Sequence, residues 1–219
     1  GDPPHRDPPQ VDAARRLGAQ IRSGVEVREL LVENGRVCGV KTDQGELRAD
    51  YVVNATGVWA PALLSPLGIN LPIKPRRGQI LVTEPLPPML NHVLLCACYL
   101  IAKYHPEELD PTDRQHRLGV GLAVEQTAHG SLLIGSTREF AGFDRKTTLA
   151  GIEAVAQHAR RILPALAKVN IIRTFAGLRP HTPDGLPILG PGDGLPGLIM
   201  AAGHEGDGIA LAPITGQKV

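Results

Sequence analysis

The sequence predicts a mixed α+β (α/β) chain in two modules, and three observations carry that prediction. Short runs rich in Val, Ile and Leu recur along the chain, bounded by Gly, Pro, Asn and Asp, as strands between turns are. Residues 147–163 instead repeat apolar side chains at helical spacing. Short α/β elements fall at the two ends, in residues 1–71 and 185–219, whereas 72–184 reads as a mostly antiparallel sheet carrying that one helix. A chain that leaves a module and returns to it places a binding site at the junction.

Taken in order, residues 1–9 read as an extended lead-in. Residues 10–22 carry Val11, Ala14, Leu17 and Ile21 on one face, a helix that ends near Gly24. Runs 25–32 and 36–42 flank Asn34 and Gly35, the strongest short hairpin signal. After a turn at 43–45, residues 51–55 form an apolar strand that ends in Thr56 and Gly57, and 59–64 supply one or two helical turns. Strands are predicted at 72–84, 93–104, 118–126 and 131–137, with 105–117 as a loop. The helix at 147–163 gathers Leu149, Ile152, Val155, Ala156, Ala159, Ile162 and Leu163 on one face. A strand at 170–175 leads to a turn that holds Arg179, stiffened by Pro180, Pro183 and Pro187. A strand at 198–202 and a helix from near Gly208 complete the order.

Composition excludes several function classes. The 219 residues suffice for a proper core. Lys and Arg number 23 against 22 Asp and Glu, a net charge of +1, which gives no electrostatic case for nucleic acid or an anionic membrane. The longest apolar run, 93–102, has about half the residues of a membrane helix. The first ten residues are polar and proline-rich, with no secretory leader pattern. Cys38, Cys96 and Cys98 are an odd count without CxxC or zinc spacing. Free, mostly buried thiols and a cytoplasmic location are therefore expected. The eight histidines show no helical pair with an intervening carboxylate and none pairs with a cysteine cluster, so no metal site is expected and a metal-dependent hydrolase is disfavoured.

Four constellations can carry chemistry. Gly57 closes the strand YVVNATG, followed by Trp59; lacking Cβ, it admits either a tight turn or the close approach of a ligand. Arg76 and Arg77, before Gly78 and Gln79, are either a solvated charge run or a polar cluster feeding an apolar strand. The bend GHEGDG, 203–208, is either a loop with Asp207 as helix N-cap or a set of N–H groups at a positive helix end. Arg179, in GLRPHTPDG, offers a guanidinium fork suited to a carboxylate. On the same loop His181 reads as a structural hydrogen-bonder and Asp184 as a turn organiser.

The stretch GLRPHTPDGLPILG, followed by LIMAAGHEGDGIALAP, resembles the C-terminal signature of the D-amino-acid oxidase superfamily of FAD-dependent oxidoreductases, in its glycine oxidase and sarcosine oxidase branch. The resemblance runs from about residue 10 to the end. It implies an incomplete FAD-binding Rossmann-like domain joined to a substrate domain, with FAD as cofactor. Arg179 becomes the residue that pairs with the substrate carboxylate. Val27, Ala55, Gly57, Trp59, Arg77, Gly78, Gln79, Gly203, His204, Gly206, Asp207, Gly208 and Ile209 become the cofactor-binding positions. Some glycine-oxidase-like members carry an arginine in the bend where this chain has Glu205–Gly206–Asp207, so a second cationic contact does not carry over there.

The implied activity is oxidation of the C–N bond of a small amino acid or secondary amine, such as glycine, sarcosine, proline or a D-amino acid. Hydride passes to the flavin, and water hydrolyses the imine. The chain has no GxGxxG after an N-terminal strand, and the fragment Gly119–Val120–Gly121 lacks the third glycine. The expectation is therefore a piece of a longer polypeptide that alone holds FAD poorly. The alternative is a non-catalytic fragment or subunit of a larger flavoprotein assembly, with homo- or hetero-oligomers open in either case.

Overall fold

The structure, a computed structural model, describes residues 9–192 and 194–219. The expected lead-in lies outside these residues except for Pro9. Two compact units emerge: the first holds the described residues of Gly1–Val52 and Asp193–Leu198, and the second holds Val53–Gly192 and Ile199–Val219.

The first unit opens with α1 (Pro9–Arg16), which stops well short of the expected end at 22. Gly18 takes a left-handed φ of 93°, and the N–H of Ala19 turns back to the Ala14 carbonyl, so the chain leaves the helical path. Leu17, expected on the apolar face, is 89% exposed. Strands β1 (Val27–Glu33), β2 (Arg36–Thr42) and β3 (Gly45–Arg48) then form an antiparallel sheet in sequence order. Asn34 and Gly35 both have positive φ, 48° and 74°, as the expected hairpin turn requires. The strand β3 had no sequence signal because all four residues are exposed and nothing alternates. The 194–198 segment joins this unit through Val37 N–H to Pro196 O and Val52 N–H to Gly197 O, both 2.8 Å.

The second unit carries the site. Strand β4 (Val52–Asn54) runs into a 3₁₀ turn, Gly57–Trp59, and the short α2 (Ala60–Leu64). Asn54 is buried and ties this corner: its Oδ1 accepts from Thr56 N–H and Oγ1, and its Nδ2 donates to Ala60 O. Next come β5 (Lys74–Pro85), β6 (Leu94–Leu95) and α3 (Ala97–Tyr104). The expected strand at 93–104 is thus mostly a helix. An unbroken apolar run does not distinguish the two by periodicity, and as a helix it buries Ala102.

The expected loop at 105–117 holds α4 (Arg114–Arg117), capped by the Asp113 carboxylate. After it, β7 is only Ala123–Gln126 and β8 Ser131–Gly135. Gly119, at φ 57°, bends the chain before β7 begins. Helix α5 (Leu149–Ile162) starts where Thr148 Oγ1 accepts from Gly151 N–H at 3.1 Å. Its buried side is Gly151, Ala154, Val155, His158 and Ala159. Leu149, expected on that side, is 71% exposed.

Strand β9 (Ile171–His181) extends well past the expected 175. Arg179 therefore lies in a strand and not in a proline-stiffened turn. The five-stranded sheet runs β6-β7-β8-β5-β9, so β9 is an edge, where Pro180 forfeits no ladder bond on its open side. The expected turn follows it, with Leu186 N–H donating to Asp184 Oδ1. Strands β10 (Ile188–Pro191) and β11 (Leu198–Ala202) pair antiparallel in a three-stranded sheet, order β10-β11-β4, and α6 (Gly208–Lys218) ends the chain. No described helix is long and apolar enough to cross a membrane.

The core lies where α5 packs on β5 and β8, around Leu81, Leu122, Val124, Leu132 and Val155. Two cysteines depart from expectation: Cys96 and Cys98 are disulfide-bonded, while Cys38 is free. Cys96 is extended just before α3 and Cys98 sits in its first turn, which brings their Cα atoms to 5.3 Å, within disulfide reach.

Leu122 is fully buried in this core. The substitution Leu122→Ala is expected to cost about 3 kcal/mol, read as a lower urea midpoint with an unchanged slope.

Candidate functional site

Antiparallel pairing of β5 with β9 assembles the site. Arg76 lies opposite Arg179, Arg77 opposite Leu178, and Gly78 opposite Gly177. Side chains alternate between faces along a strand, so Arg76, Gly78 and Arg179 share one face. Arg77 and Gln79 share the other. A Cβ on Gly78 would overlap the Arg179 guanidinium, which therefore lies directly on that glycine. Arg179 Nη2 donates to Ser136 Oγ at 2.5 Å and Nη1 to the Thr137 carbonyl at 3.2 Å. Burial lowers its pKa, but an arginine stays charged throughout the working range.

The bend at 203–208 meets this arginine. A Cβ on Gly206 would lie 3.7 Å from Arg179 Nε. Glu205, in the left-handed region at φ 51°, turns its side chain inward until only 7% is exposed. Its Oε1 accepts from Arg76 Nε at 2.9 Å and also from Arg76 Nη2. Burial alone would raise the Glu205 pKa, yet the Arg76 charge and hydrogen bonds hold it below the ordinary carboxylate range. His204 Nε2 pairs with Thr215 Oγ1 at 2.9 Å, which fastens the bend to α6. Gly203, buried at φ 82°, packs so close to Thr182 that a Cβ would come within 2.8 Å of its methyl.

Asp207 precedes α6, but its side chain does not cap the helix. Both carboxylate oxygens instead take Lys103 Nζ, at 2.7 and 2.8 Å. The N–H groups of Gly208, Ile209 and Ala210 have no helical acceptor. They form an uncapped positive helix end beside Arg179's bend, and Ile209 is 94% exposed. The turn at Gly57–Trp59 packs against β9. There Ala55 is exposed, Trp59 is half-exposed, and the space above Gly57 is open to 4 Å. Open glycine, exposed apolar surface and unclaimed N–H donors fit a flat, electron-rich ring such as a flavin. Val27, the adenine-side expectation, is a half-exposed residue of the first unit.

Arg77 and Gln79 have other work. Both are buried, which removes the solvated-face alternative for the charge run. Arg77 pairs with Glu139 at 2.9 Å and Asp144 at 2.8 Å. Gln79 donates to Glu139 Oε2 and accepts from Thr148 N–H, both at 2.7 Å. This network pins the segment after β8 and the start of α5. Glu205 and Ser136, which hold Arg76 and Arg179 in place, were not among the expected site residues; Glu205 stood in the quoted motif, while Ser136 left no local signal.

Residues 10–219 match the family described as FAD dependent oxidoreductase (DAO). The chain is 41% identical over 209 residues to the hydrogen cyanide synthase subunit HcnC of Pseudomonas protegens, covering 94% of this chain and 44% of that protein. It is 36% identical over 194 residues to the glycine oxidase of Pseudomonas aeruginosa, covering 89% and 47%. The solved L-proline dehydrogenase of P. horikoshii matches with a TM-score of 0.77 at 29% identity, over 94% of this chain and 53% of that one. The chain spans about half the length of these relatives.

Two outcomes test the geometry. In Gly78→Ala the new methyl would push the Arg179 guanidinium off its seat and away from Ser136 and Thr137, so the melting temperature is expected to fall by about 5 °C and carboxylate binding by about 10-fold. Glu205 has a depressed folded pKa, so its stabilisation is present above the ordinary carboxylate range and lost as pH falls through the folded value. A melting curve of Glu205→Gln against pH should therefore be flatter than that of the parent below about pH 4.

Proposed function

Because the chain belongs to the FAD-dependent oxidoreductase family, we propose that its complete polypeptide oxidises the C–N bond of a small amino acid or secondary amine, of the glycine, sarcosine, proline or D-amino-acid type. The observation that carries this reading is the Arg179 guanidinium, seated on Gly78, held by Ser136 and Thr137, and flanked by the Gly206 bend. When bound, FAD supplies the acceptor for the hydride that leaves the substrate carbon.

Everything else falls to the chain. Arg179 takes the substrate carboxylate on its fork, and its two protein contacts keep that fork from reorienting. Glu205 anchors Arg76 and with it the bend. The open N–H groups of α6 favour negative charge at the helix end, already in place before any reaction. Orientation and preorganised electrostatics therefore carry the rate, and no protein base is assigned. Relatives named for glycine and L-proline oxidation support this substrate class. The relative named as a subunit of hydrogen cyanide synthase favours a second reading, in which this chain works within a larger assembly.

In the flavin-loaded polypeptide, Arg179→Lys is expected to raise KM about 100-fold, as the loss of a bidentate charged pair would, with flavin content unchanged. A KM within twofold of the parent would remove Arg179 from the role. Anaerobic bleaching of the flavin band by one member of an amino-acid panel would name the substrate.

A further inference from the structure

We infer that Arg138 forms a second anion subsite beside Arg179, so that the preferred substrate carries two carboxylates: one next to the C–N bond and another farther along. This rests on the reading of Arg179 as the first carboxylate's partner.

The argument begins with an unpaired cation. Arg138 follows β8 and is only 7% exposed, yet its Nε and Nη1 have no hydrogen-bond partner. A buried charge persists in a fold when something compensates it. The groups that act on Arg138 electrostatically are Arg179, Tyr99, Glu205 and Arg76. Glu205 is the one carboxylate in that set, and Arg76 already holds it through two nitrogens. Three arginines thus face one carboxylate, which leaves two positive charges. One substrate carboxylate on Arg179 satisfies the first, and the second remains for Arg138.

Space and seating support the same conclusion. Arg138 lines an open cavity of about 560 Å³ together with Arg76, Arg117, Phe140 and His181; Arg179 is outside its wall but lies directly across the strand pair from Arg76, so the cavity gives room for the second carboxylate. His181 Nδ1 is likewise buried without a partner. Asp110, the acidic residue in the wall, is engaged by the N–H and Oγ1 of Thr112. The Arg138 guanidinium stacks 4.3 Å over the Tyr99 ring. A Cβ on Gly119 would lie 2.8 Å from Arg138 Cβ, and one on Gly121 would lie 2.9 Å from Nη1. These two glycines, whose GxG spacing resembles half a phosphate loop, give Arg138 its room instead. A side chain held this closely and left unpaired is set for a ligand.

The test is calorimetric binding to the flavin-loaded polypeptide, at fixed ionic strength. Malonate, succinate and glutarate are compared with the monocarboxylates of the same carbon number. At least one diacid is expected to bind about 10-fold more tightly than its monoacid, a difference of about 1.4 kcal/mol. Arg138→Met should erase that preference and leave monoacid binding within twofold, while Arg138→Lys restores part of it. The methionine removes a desolvated charge, so its melting temperature should not fall, and the lysine guards against a packing effect. Equal binding of the two series, or a preference that survives Arg138→Met, would overturn the subsite. Arg179→Met should weaken both series. If it leaves the monoacids untouched while the Arg138 preference persists, the first-carboxylate reading fails and the Arg138 subsite stands alone. No binding in either series overturns both.

Discussion

The register of β5 against β9 is the constraint on which the site depends. With Arg76 opposite Arg179 and Gly78 opposite Gly177, period-two alternation sorts a compact motif into two unlike sets. One face receives the guanidinium of Arg179 on a glycine floor. The other receives Arg77 and Gln79, whose partners hold the segment after β8 and the first turn of α5. A one-residue slip would exchange these sets and bring two charged side chains into the wrong environment. The buried ion pairs beneath the sheet therefore protect the register, and the register in turn protects the site.

Much of this architecture was legible in the chain. Asn34 with Gly35 announced its hairpin by the positive φ that such a turn demands. The strand at 198–202 and the helix from Gly208 fell where apolar runs and glycines placed them. The failures share a cause, since each depended on partners distant in sequence. A run such as CACYLIAK suits a strand or a helix equally until the sheet beside it is known. The same holds for β3, which has no buried face and exists only because β2 pairs with it.

For the candidate site, the sequence could name residues but not their arrangement. The motif around Arg179 identified the arginine, yet its proline content suggested a turn, when the edge of a sheet tolerates Pro180 equally well. The triplet Arg77–Gly78–Gln79 named three neighbours, and only pairing shows that the middle one lies under the guanidinium. Asp207 looked like a helix cap because it stands at the cap position. Its carboxylate is drawn instead to Lys103, more than a hundred residues earlier. Local rules give the residue its options, and the long-range charge decides among them.

The charge balance of this region explains why so much of the fold surrounds it. Removing a guanidinium from water is costly, and burial together with the like charges of Arg179 and Arg76 lowers the Arg138 pKa to about 10, which amounts to a few kcal/mol against folding at neutral pH. Glu205 offsets part of the cost for Arg76, the Tyr99 ring part for Arg138, and two oxygens part for Arg179. The remainder falls to the apolar core between α5 and the sheet, which needs no charge of its own. A ligand that brings anionic groups repays the same cost when it binds. Under the proposed binding of an anionic ligand, the cluster is less stable empty than filled, so affinity for that ligand and the desolvation cost in the free protein would have one origin.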